Sequence, residues 1–317
     1  MIKIFKKYSF LIGFLLLGII VYQIDLKIIY QAIEKINYQL LILALLIAFP
    51  LILIKAYRWN YLKKIQGINY KIIDSFLMYG VGTAIGSLTP GKIGDISKIS
   101  YLKKDGYSIG KSLTSVIVDR FLDLFYLLAF GYLGIIFFFG FFKKTTLIYS
   151  FVILSVILLI FIIKKQFYRQ LIKKIFTIII PLKYQKSWQI NFQEFLNELK
   201  KYNKKNYSYL LFITLTAWLV YYAQIYLFAR SIDLHQIPLL HLILAVTVSG
   251  FITLLPVSFL GIGTREITLV ALLSPLTTNI ETIILFSELI LLDFIVLGLI
   301  GAISWYFKPI PLIKIKK

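Results

Sequence analysis

Residues 72–97 read IIDSFLMYGVGTAIGSLTPGKIGDIS, a mostly apolar stretch that five glycines and Thr89-Pro90-Gly91 interrupt. Glycine leaves the backbone unrestricted and proline lacks an amide hydrogen, so both break helices. Basic residues lie on either side, and such residues favour the cytoplasmic face of a membrane. We therefore predict a re-entrant hairpin that enters and leaves from the cytoplasm; two short spans or one kinked helix are the alternatives. The flanking basic residues are Arg58, Lys63, Lys64, Lys71, Lys98, Lys103, Lys104 and Lys111.

A second broken stretch lies later in the chain, at residues 236–266. It is also apolar, and Pro256 and Gly261-Ile262-Gly263 interrupt it. On the topology predicted from the basic residues, this stretch enters the bilayer from the outside, opposite to the first. We therefore predict a second re-entrant hairpin.

The spacing around the two breaks indicates an internal repeat. Gly94 precedes Asp119 by the same 25 residues that separate Gly263 from Glu288. Inverted repeats with helices broken near the bilayer midplane are typical of secondary transporters. The competing interpretation is that glycine and proline are simply common in membrane helices. The predicted repeat units are residues 39–142 and 207–307.

Composition favours a membrane protein. The chain has 317 residues, 59% of them hydrophobic, and a mean hydropathy of +0.84. Uncharged apolar stretches of about twenty residues span a bilayer, whereas soluble domains interleave charge with apolar positions. We predict an all-α polytopic membrane protein with about six transmembrane helices plus the two re-entrant hairpins, forming one membrane domain over residues 1–317. The predicted spans are residues 8–24, 39–57, 113–142, 145–163, 207–229 and 282–307.

The net charge of +21 comes from 35 Lys and Arg against 14 Asp and Glu. The basic residues lie between apolar segments, so membrane orientation explains them better than nucleic acid, which we exclude as a partner. This pattern predicts the cell membrane as location, with both termini cytoplasmic. The basic connector 164–205 is predicted to contain an amphipathic helix on the inner leaflet. Its apolar positions are Trp188, Phe192, Phe195, Leu196, Leu199 and Tyr202.

The sequence carries few signs of catalysis. It has no cysteine and only two histidines, His235 and His241, whose spacing is poor for one helical face, so we predict no metal and no cofactor. The motifs of zinc proteases, serine hydrolases and phosphate-binding loops are absent from the sequence. We therefore predict that the chain is not an enzyme.

Several charged residues fall inside predicted membrane segments, where they face protein or water because charge in hydrocarbon is costly. Asp119 and Asp123, four residues apart, share one helical face and need a cation between them. Lys55 and Arg58 are expected to snorkel to the membrane interface. The candidates for the cation between the two carboxylates are Arg120, Lys92 and Arg265.

Three interpretations of these charges compete: a structural ion-pair network, proton coupling through a carboxylate, and binding of an anionic headgroup. We favour the network for Asp119, Asp123, Glu288 and Asp293, and we assign Asp95 and Glu266 to a buried ion pair or to coupling. We favour headgroup binding for Lys92, Arg120 and Arg265, because cationic donors match phosphate oxygens and glycine-rich breaks expose amide groups to anions. The break residues assigned to the same site are Thr89, Pro90, Gly91, Gly94, Gly261 and Gly263.

These motifs together resemble the lysylphosphatidylglycerol synthase transmembrane-region family of flippase-like membrane proteins. The resemblance covers residues 10–305 and depends most on a Pro-Gly-x-x-Gly-acid motif followed by a Gly-x-Gly-x-x-Glu motif. Family members more often have Glu where Asp95 stands, which keeps the charge. The motifs are Arg58-Trp59, Leu88-Thr89-Pro90-Gly91-Lys92-Ile93-Gly94-Asp95, Asp119-Arg120-x-x-Asp123, Leu255-Pro256 and Gly261-Ile262-Gly263-Thr264-Arg265-Glu266.

The resemblance implies translocation of a lipid between leaflets. In the two-domain synthases, the similar region moves aminoacylated phosphatidylglycerol; the soluble synthase domain found there is not seen here, so a stand-alone member is expected. The predicted function is that of a flippase for an anionic phospholipid or a polyprenyl-phosphate-linked lipid. Because no ATP-binding motif is present, the energy would come from a gradient or from consumption of the product.

Two other functions stay open at this point. One is an intramembrane lipid-phosphate transferase with Asp119 or Glu266 as the base. The other is a non-transporting partner that recruits a glycosyltransferase through residues 164–205. The predicted partners are membrane lipids, including lipid-linked sugars, together with a membrane glycosyltransferase or a second copy of the chain in a homo-oligomer.

Overall fold

The computed structural model describes residues 34, 36–87, 89–139, 182–254, 258, 260–277 and 279–311. Every regular element among these residues is a helix, which confirms the predicted all-α fold for this part of the chain. The predicted spans 8–24 and 145–163 lie outside the described residues. Four helical segments of the described part are long and apolar enough to cross a membrane, and they match the other four predicted spans: Tyr38–Ile65, Ile109–Phe138, Lys204–Ser231 and Ile280–Phe307.

The helices are numbered in chain order. The first half contains α1 (Tyr38–Leu46), α2 (Ala48–Ile65), α3 (Ile72–Ser87), a 3-10 helix (Pro90–Ser97), α4 (Lys98–Lys104) and α5 (Ile109–Phe139). The second half contains α6 (Leu182–Leu199), α7 (Lys204–Ser231), α8 (Leu239–Ile252), α9 (Thr264–Leu273), a 3-10 helix (Ser274–Leu276) and α10 (Ile280–Phe307). Three helices that begin a candidate span start after an asparagine whose side chain accepts a hydrogen bond from a first-turn amide, which compensates a group the helix leaves unbonded. These caps are Asn37, Asn203 and Asn279.

The first predicted break interrupts a helix in the structure. α3 ends at Ser87, and the following 3-10 helix packs back against it. Thr89 holds the turn: its hydroxyl donates to the carbonyl of Gly86 over 3.0 Å and accepts from the amide of Gly94 over 2.7 Å. The side chain thus replaces backbone hydrogen bonds that are lost where the helix stops.

The second predicted break separates α8 from α9, which also pack against each other. Leu260, Gly261 and Gly263 have positive φ angles of 54°, 79° and 80°. This region suits glycine, whereas Leu260 occupies it at a cost in backbone strain. The carboxylate of Glu266 accepts a hydrogen bond from the amide of Gly263 over 2.5 Å and so caps α9 at its first turn.

The two halves of the chain pack crosswise. α3 of the first half lies along α10 of the second, and α8 of the second half lies along α5 of the first. The contact between α3 and α10 is close: a methyl group added at Gly301 would lie 2.1 Å from Cβ of Ala84, and one at Gly80 would lie 2.6 Å from Oγ of Ser304. Small residues allow membrane helices to approach in this way. Each broken stretch therefore uses a long helix of the other half as its support.

The described part of the basic connector is helical, as predicted, and forms α6. It packs against α5, where the amide of Gly110 donates to the side chain of Asn191 over 3.2 Å. Leu196 is buried and Ile190 is exposed, so one face of the helix contacts protein and another is open. Residues 164–181 of the connector lie outside the described part of the chain.

Candidate functional site

Seven charged side chains form a continuous series of alternating cations and carboxylates, which we call the ion chain. Consecutive members lie 2.5 to 3.5 Å apart. A charge buried without an opposite charge is costly, and the alternation gives every member at least one partner. The members, in order, are Lys55, Asp123, Arg58, Asp119, Lys98, Asp95 and Arg120.

Arg58 of α2 holds the ion chain to α5 and α7. Its Nε lies 2.8 Å from Oδ1 of Asp119 and its Nη1 lies 2.9 Å from Oδ1 of Asp123. Nη1 also donates to the hydroxyl of Thr214 over 2.9 Å. Because Asp119 and Asp123 are one helical turn apart, a single guanidinium with its fork of donors reaches both.

The prediction that Arg58 snorkels to the membrane interface is wrong. Its side chain is 0% exposed and occupies the position between Asp119 and Asp123. Two carboxylates in a low-dielectric interior attract the guanidinium more strongly than the interface does. Arg58 therefore takes the place for which the sequence suggested a cation from another element.

Lys98 continues the ion chain. Its ammonium lies 2.7 Å from Asp95 and 3.4 Å from Asp119, and it faces the rings of Tyr79 and Trp59 at 4.2 and 5.2 Å. From the sequence, Lys98 was predicted only to flank the first break as a basic residue; in the structure its side chain is fully buried. The break after α3 turns the chain back toward α5, and this brings Lys98 under the aromatic rings, which add a cation–π contribution.

Arg120 ends the ion chain at the first break. Successive residues of a helix point in directions about 100° apart, so Arg120 faces away from its neighbour Asp119. Its Nε donates to Oδ2 of Asp95 over 2.5 Å. The guanidinium side chain is 28% exposed, whereas Asp95 is 1% exposed. The structure thus pairs Arg120, which was predicted to bind a headgroup, with Asp95, one of the predicted buried acids.

A cavity of about 540 Å³ lies between the two breaks. Residues of the first break and of the second line it, together with parts of α2, α5, α7, α8 and α10. Its lining includes both ends of the ion chain together with apolar side chains, among them Leu127, Val246 and Phe294. The predicted site residues that line this cavity are Thr89, Asp95, Arg120, Asp123, Gly261 and Asp293.

Arg265 is placed differently from Arg120. It is buried, it does not line this cavity, and its Nη2 lies 2.8 Å from Oε1 of Glu266. The hydroxyl of Ser287 on α10 accepts from Nε of Arg265 over 2.7 Å and donates to Glu266 over 2.6 Å. This group of three fastens α9 to α10.

The remaining predicted residues are spread over both halves. Asp293 accepts a hydrogen bond from the side chain of Gln224 over 2.8 Å. Glu288 is half-buried and forms no ion pair with any other described residue. Pro90, Gly91 and Lys92 lie on the 3-10 helix, but the position of the Lys92 side chain falls outside what the structure describes.

Three members of the ion chain were not among the predicted site residues: Lys55, Arg58 and Lys98. One signal could have indicated them. Three of the five carboxylates in the predicted first unit, Asp95, Asp119 and Asp123, lie in the broken motif or in the span that follows it, and buried carboxylates need compensating cations in comparable number. Lys55 and Arg58, three residues apart on one helix, are the basic residues nearest to an otherwise uncharged span and were therefore suitable candidates.

Comparison with known protein families identifies the family to which the chain belongs. The family model described as lysylphosphatidylglycerol synthase TM region matches residues 8–308. No curated protein and no solved structure matches the chain. The matched residues include both breaks, the whole ion chain and all four candidate spans. This chain is a multi-pass membrane protein that belongs to the lysylphosphatidylglycerol synthase TM-region family.

Proposed function

We propose that the chain moves a lipid with a phosphate-bearing headgroup, an anionic phospholipid or a polyprenyl-phosphate-linked lipid, between the leaflets of the cell membrane. The observation that carries the proposal is the cavity between the two breaks. It brings the partly exposed guanidinium of Arg120 together with apolar side chains in one lining. A lipid has the same two parts, a charged headgroup and apolar chains.

The dimensions of the cavity support a lipid ligand. Ligand sites in proteins commonly measure 300–1,000 Å³ and combine apolar walls with a few placed polar groups, and this cavity of about 540 Å³ has that composition. Ile117 and Leu124 line it and are 43% and 39% exposed, the exposure expected of an open chamber rather than a sealed one. An open chamber with an apolar side suits a molecule that arrives from the bilayer.

For the topology, we propose six spans, two re-entrant hairpins that enter from opposite faces, and cytoplasmic termini. The crosswise packing of α3 on α10 and α8 on α5 supports this, because it relates the two halves in the same reciprocal way. Broken helices that meet near the midplane are where secondary transporters hold their substrates. The cavity bordered by both breaks would then lie at the depth through which a headgroup must pass.

The roles proposed for the three cations differ. Arg120 would bind the headgroup phosphate, since it reaches the cavity and its guanidinium offers several donors. Lys92 remains a candidate for the same task on the basis of its place in the first break. Arg265 would instead fix the second hairpin through Glu266 and Ser287.

A lipid-exchange assay tests the proposal. The purified chain is reconstituted into liposomes with a fluorescent phosphatidylglycerol, and dithionite then quenches the label in the outer leaflet. The wild type should make the inner-leaflet label accessible. Arg120→Gln should slow this exchange by about tenfold, the effect of losing a charged hydrogen bond. Arg230→Gln, an exposed position at the end of α7, is the control and should exchange like wild type. Exchange no faster than in protein-free liposomes, or unaffected by Arg120→Gln, contradicts the proposal.

The same assay separates the competing functions. A transferase would leave a chemically altered lipid, which chromatography of the extracted lipids detects. Neither proposed base is favoured by its surroundings: Asp119 and Glu266 are both fully buried, and both oxygens of each carboxylate accept hydrogen bonds. Unaltered lipids without exchange would instead favour a partner that recruits a glycosyltransferase.

A further inference from the structure

Lys55 is the second cation of the ion chain that reaches the cavity. It lies on α2, lines the cavity and has a side chain that is 26% exposed. Its ammonium is 3.5 Å from Oδ2 of Asp123, the longest separation in the ion chain. The ring of Trp218, which lines the same cavity, lies 5.7 Å away. Lys55 is therefore held weakly at the edge of open space.

Asp123 does not depend on Lys55 for its compensating charge. Its other oxygen, Oδ1, lies 2.9 Å from Nη1 of the fully buried Arg58. Breaking a buried ion pair is costly chiefly because one charge remains without compensation. Arg58 stays in place when Lys55 moves, so Lys55 can leave Asp123 for another anion without that cost.

The opposite end of the ion chain is built in the same way. Arg120 reaches the cavity and shares Asp95 with Lys98, whose ammonium lies 2.7 Å from that carboxylate and is fully buried. In the middle, Arg58 and Lys98 both contact Asp119. Each cation at the cavity thus shares its carboxylate with a second cation that is buried and fixed.

We propose that Lys55 and Arg120 are two arms of a clamp for a phosphate group. Each arm would release its carboxylate and donate to phosphate oxygens, while Arg58 and Lys98 compensate the carboxylates left behind. Ammonium and guanidinium groups both bind phosphate by charge-assisted hydrogen bonds. The inference rests on the proposed function for Arg120, and it adds Lys55 and the exchange of partners. The phosphate can belong to a lipid headgroup or be free inorganic phosphate.

The test measures the melting temperature of the purified full chain in detergent micelles. Four conditions are compared: no ligand, dioctanoyl phosphatidylglycerol, dioctanoylglycerol without a phosphate, and inorganic phosphate. A ligand that binds the folded state raises its stability by mass action. Phosphatidylglycerol should raise the wild-type melting temperature by about 1–2 °C, the shift that about 1 kcal/mol of binding stabilisation gives in a chain longer than 250 residues. Dioctanoylglycerol should not.

Variants of Lys55 then separate binding from structure. Lys55→Gln should keep the ligand-free melting temperature, because Asp123 retains Arg58, and should lose most of the shift caused by phosphatidylglycerol. Lys55→Arg should keep the shift, since it restores a cationic donor. Lys64→Gln, an exposed position on the same helix, is the matched control and should keep both quantities.

Several results would overturn the clamp. Lys55→Gln could show the full shift, it could lower the ligand-free melting temperature as a structural ion would, or dioctanoylglycerol could act like phosphatidylglycerol.

A Lys55-dependent shift with inorganic phosphate alone supports the clamp and assigns it to free phosphate. A Lys55-dependent shift without any lipid exchange in liposomes keeps the clamp and rejects transport. Exchange by wild type that Lys55→Gln leaves unchanged, with the thermal shift intact, rejects the clamp and keeps transport.

Discussion

Replacing Arg58 by methionine is expected to lower the free energy of unfolding by about 3–5 kcal/mol, the range measured when one partner of a buried ion pair is removed. Arg58 contacts two carboxylates and a hydroxyl, and none of its surface is exposed. Methionine fills similar space but supplies no charge. Asp119 would keep Lys98 and Asp123 would keep only the 3.5 Å contact with Lys55.

The measurement is unfolding in mixed micelles with increasing denaturing detergent, followed by loss of helix signal. Lys64→Met removes an exposed cation from the same helix and should change the free energy of unfolding by less than about 0.5 kcal/mol, as surface substitutions do. Adding Asp123→Asn to Arg58→Met should recover part of the loss, because it removes a carboxylate left without its cation. A loss below about 1 kcal/mol for Arg58→Met would show that the ion chain does not stabilise the fold.

The second large effect is expected at Gly301, where alanine should lower the free energy of unfolding by about 1–3 kcal/mol through overpacking. This is opposite to the usual trend, since alanine in place of glycine within a helix stabilises by about 0.5–1 kcal/mol. The added methyl group would lie 2.1 Å from Cβ of Ala84 and 2.9 Å from the carbonyl oxygen of Gly80. Either α3 or α10 must move to admit it.

Gly298 provides a matched control on the same helix. A methyl group added there has no heavy atom within 4 Å, so Gly298→Ala should follow the usual trend and leave stability equal or slightly higher. Both variants are compared by the same unfolding experiment, with lipid exchange as a second readout. Equal stability of Gly298→Ala and Gly301→Ala would mean that α3 and α10 do not approach as described.

The breaks were predictable from sequence because their cause is local. Thr89-Pro90-Gly91 and Gly261-Ile262-Gly263 interrupt helices by backbone chemistry that does not depend on distant residues. In the structure, α3 ends at Ser87, just before the first of these motifs, and α9 begins at Thr264, directly after the second. The four described spans follow equally from unbroken runs of apolar residues. Local chemistry does not say which residues meet across the chain.

The partners of the buried charges were therefore not predictable from spacing. Asp119 and Asp123 share a helical face by periodicity alone, but Arg58 reaches them only because α2 packs beside α5. Lys98 was predicted only as one of the basic residues that flank the first break, and it is buried because the break returns the chain toward α5. Equal spacing also predicted that Glu288 of the second unit is the equivalent of Asp119 of the first. In the structure, however, Asp119 is buried and paired with Arg58, whereas Glu288 is half-buried.

The crosswise packing also constrains the order in which the protein can mature. While the chain is being synthesised, α3 is made long before α10, so the glycine-containing face of α3 initially lacks the helix that covers it in the final structure. Contacts between sequence-distant segments form late and leave apolar or small-residue surfaces temporarily uncovered. Until α10 is made, this nascent intermediate is the stage most exposed to quality control, and a substitution that disrupts α10 should first destabilise the stretch around α3 and the first break.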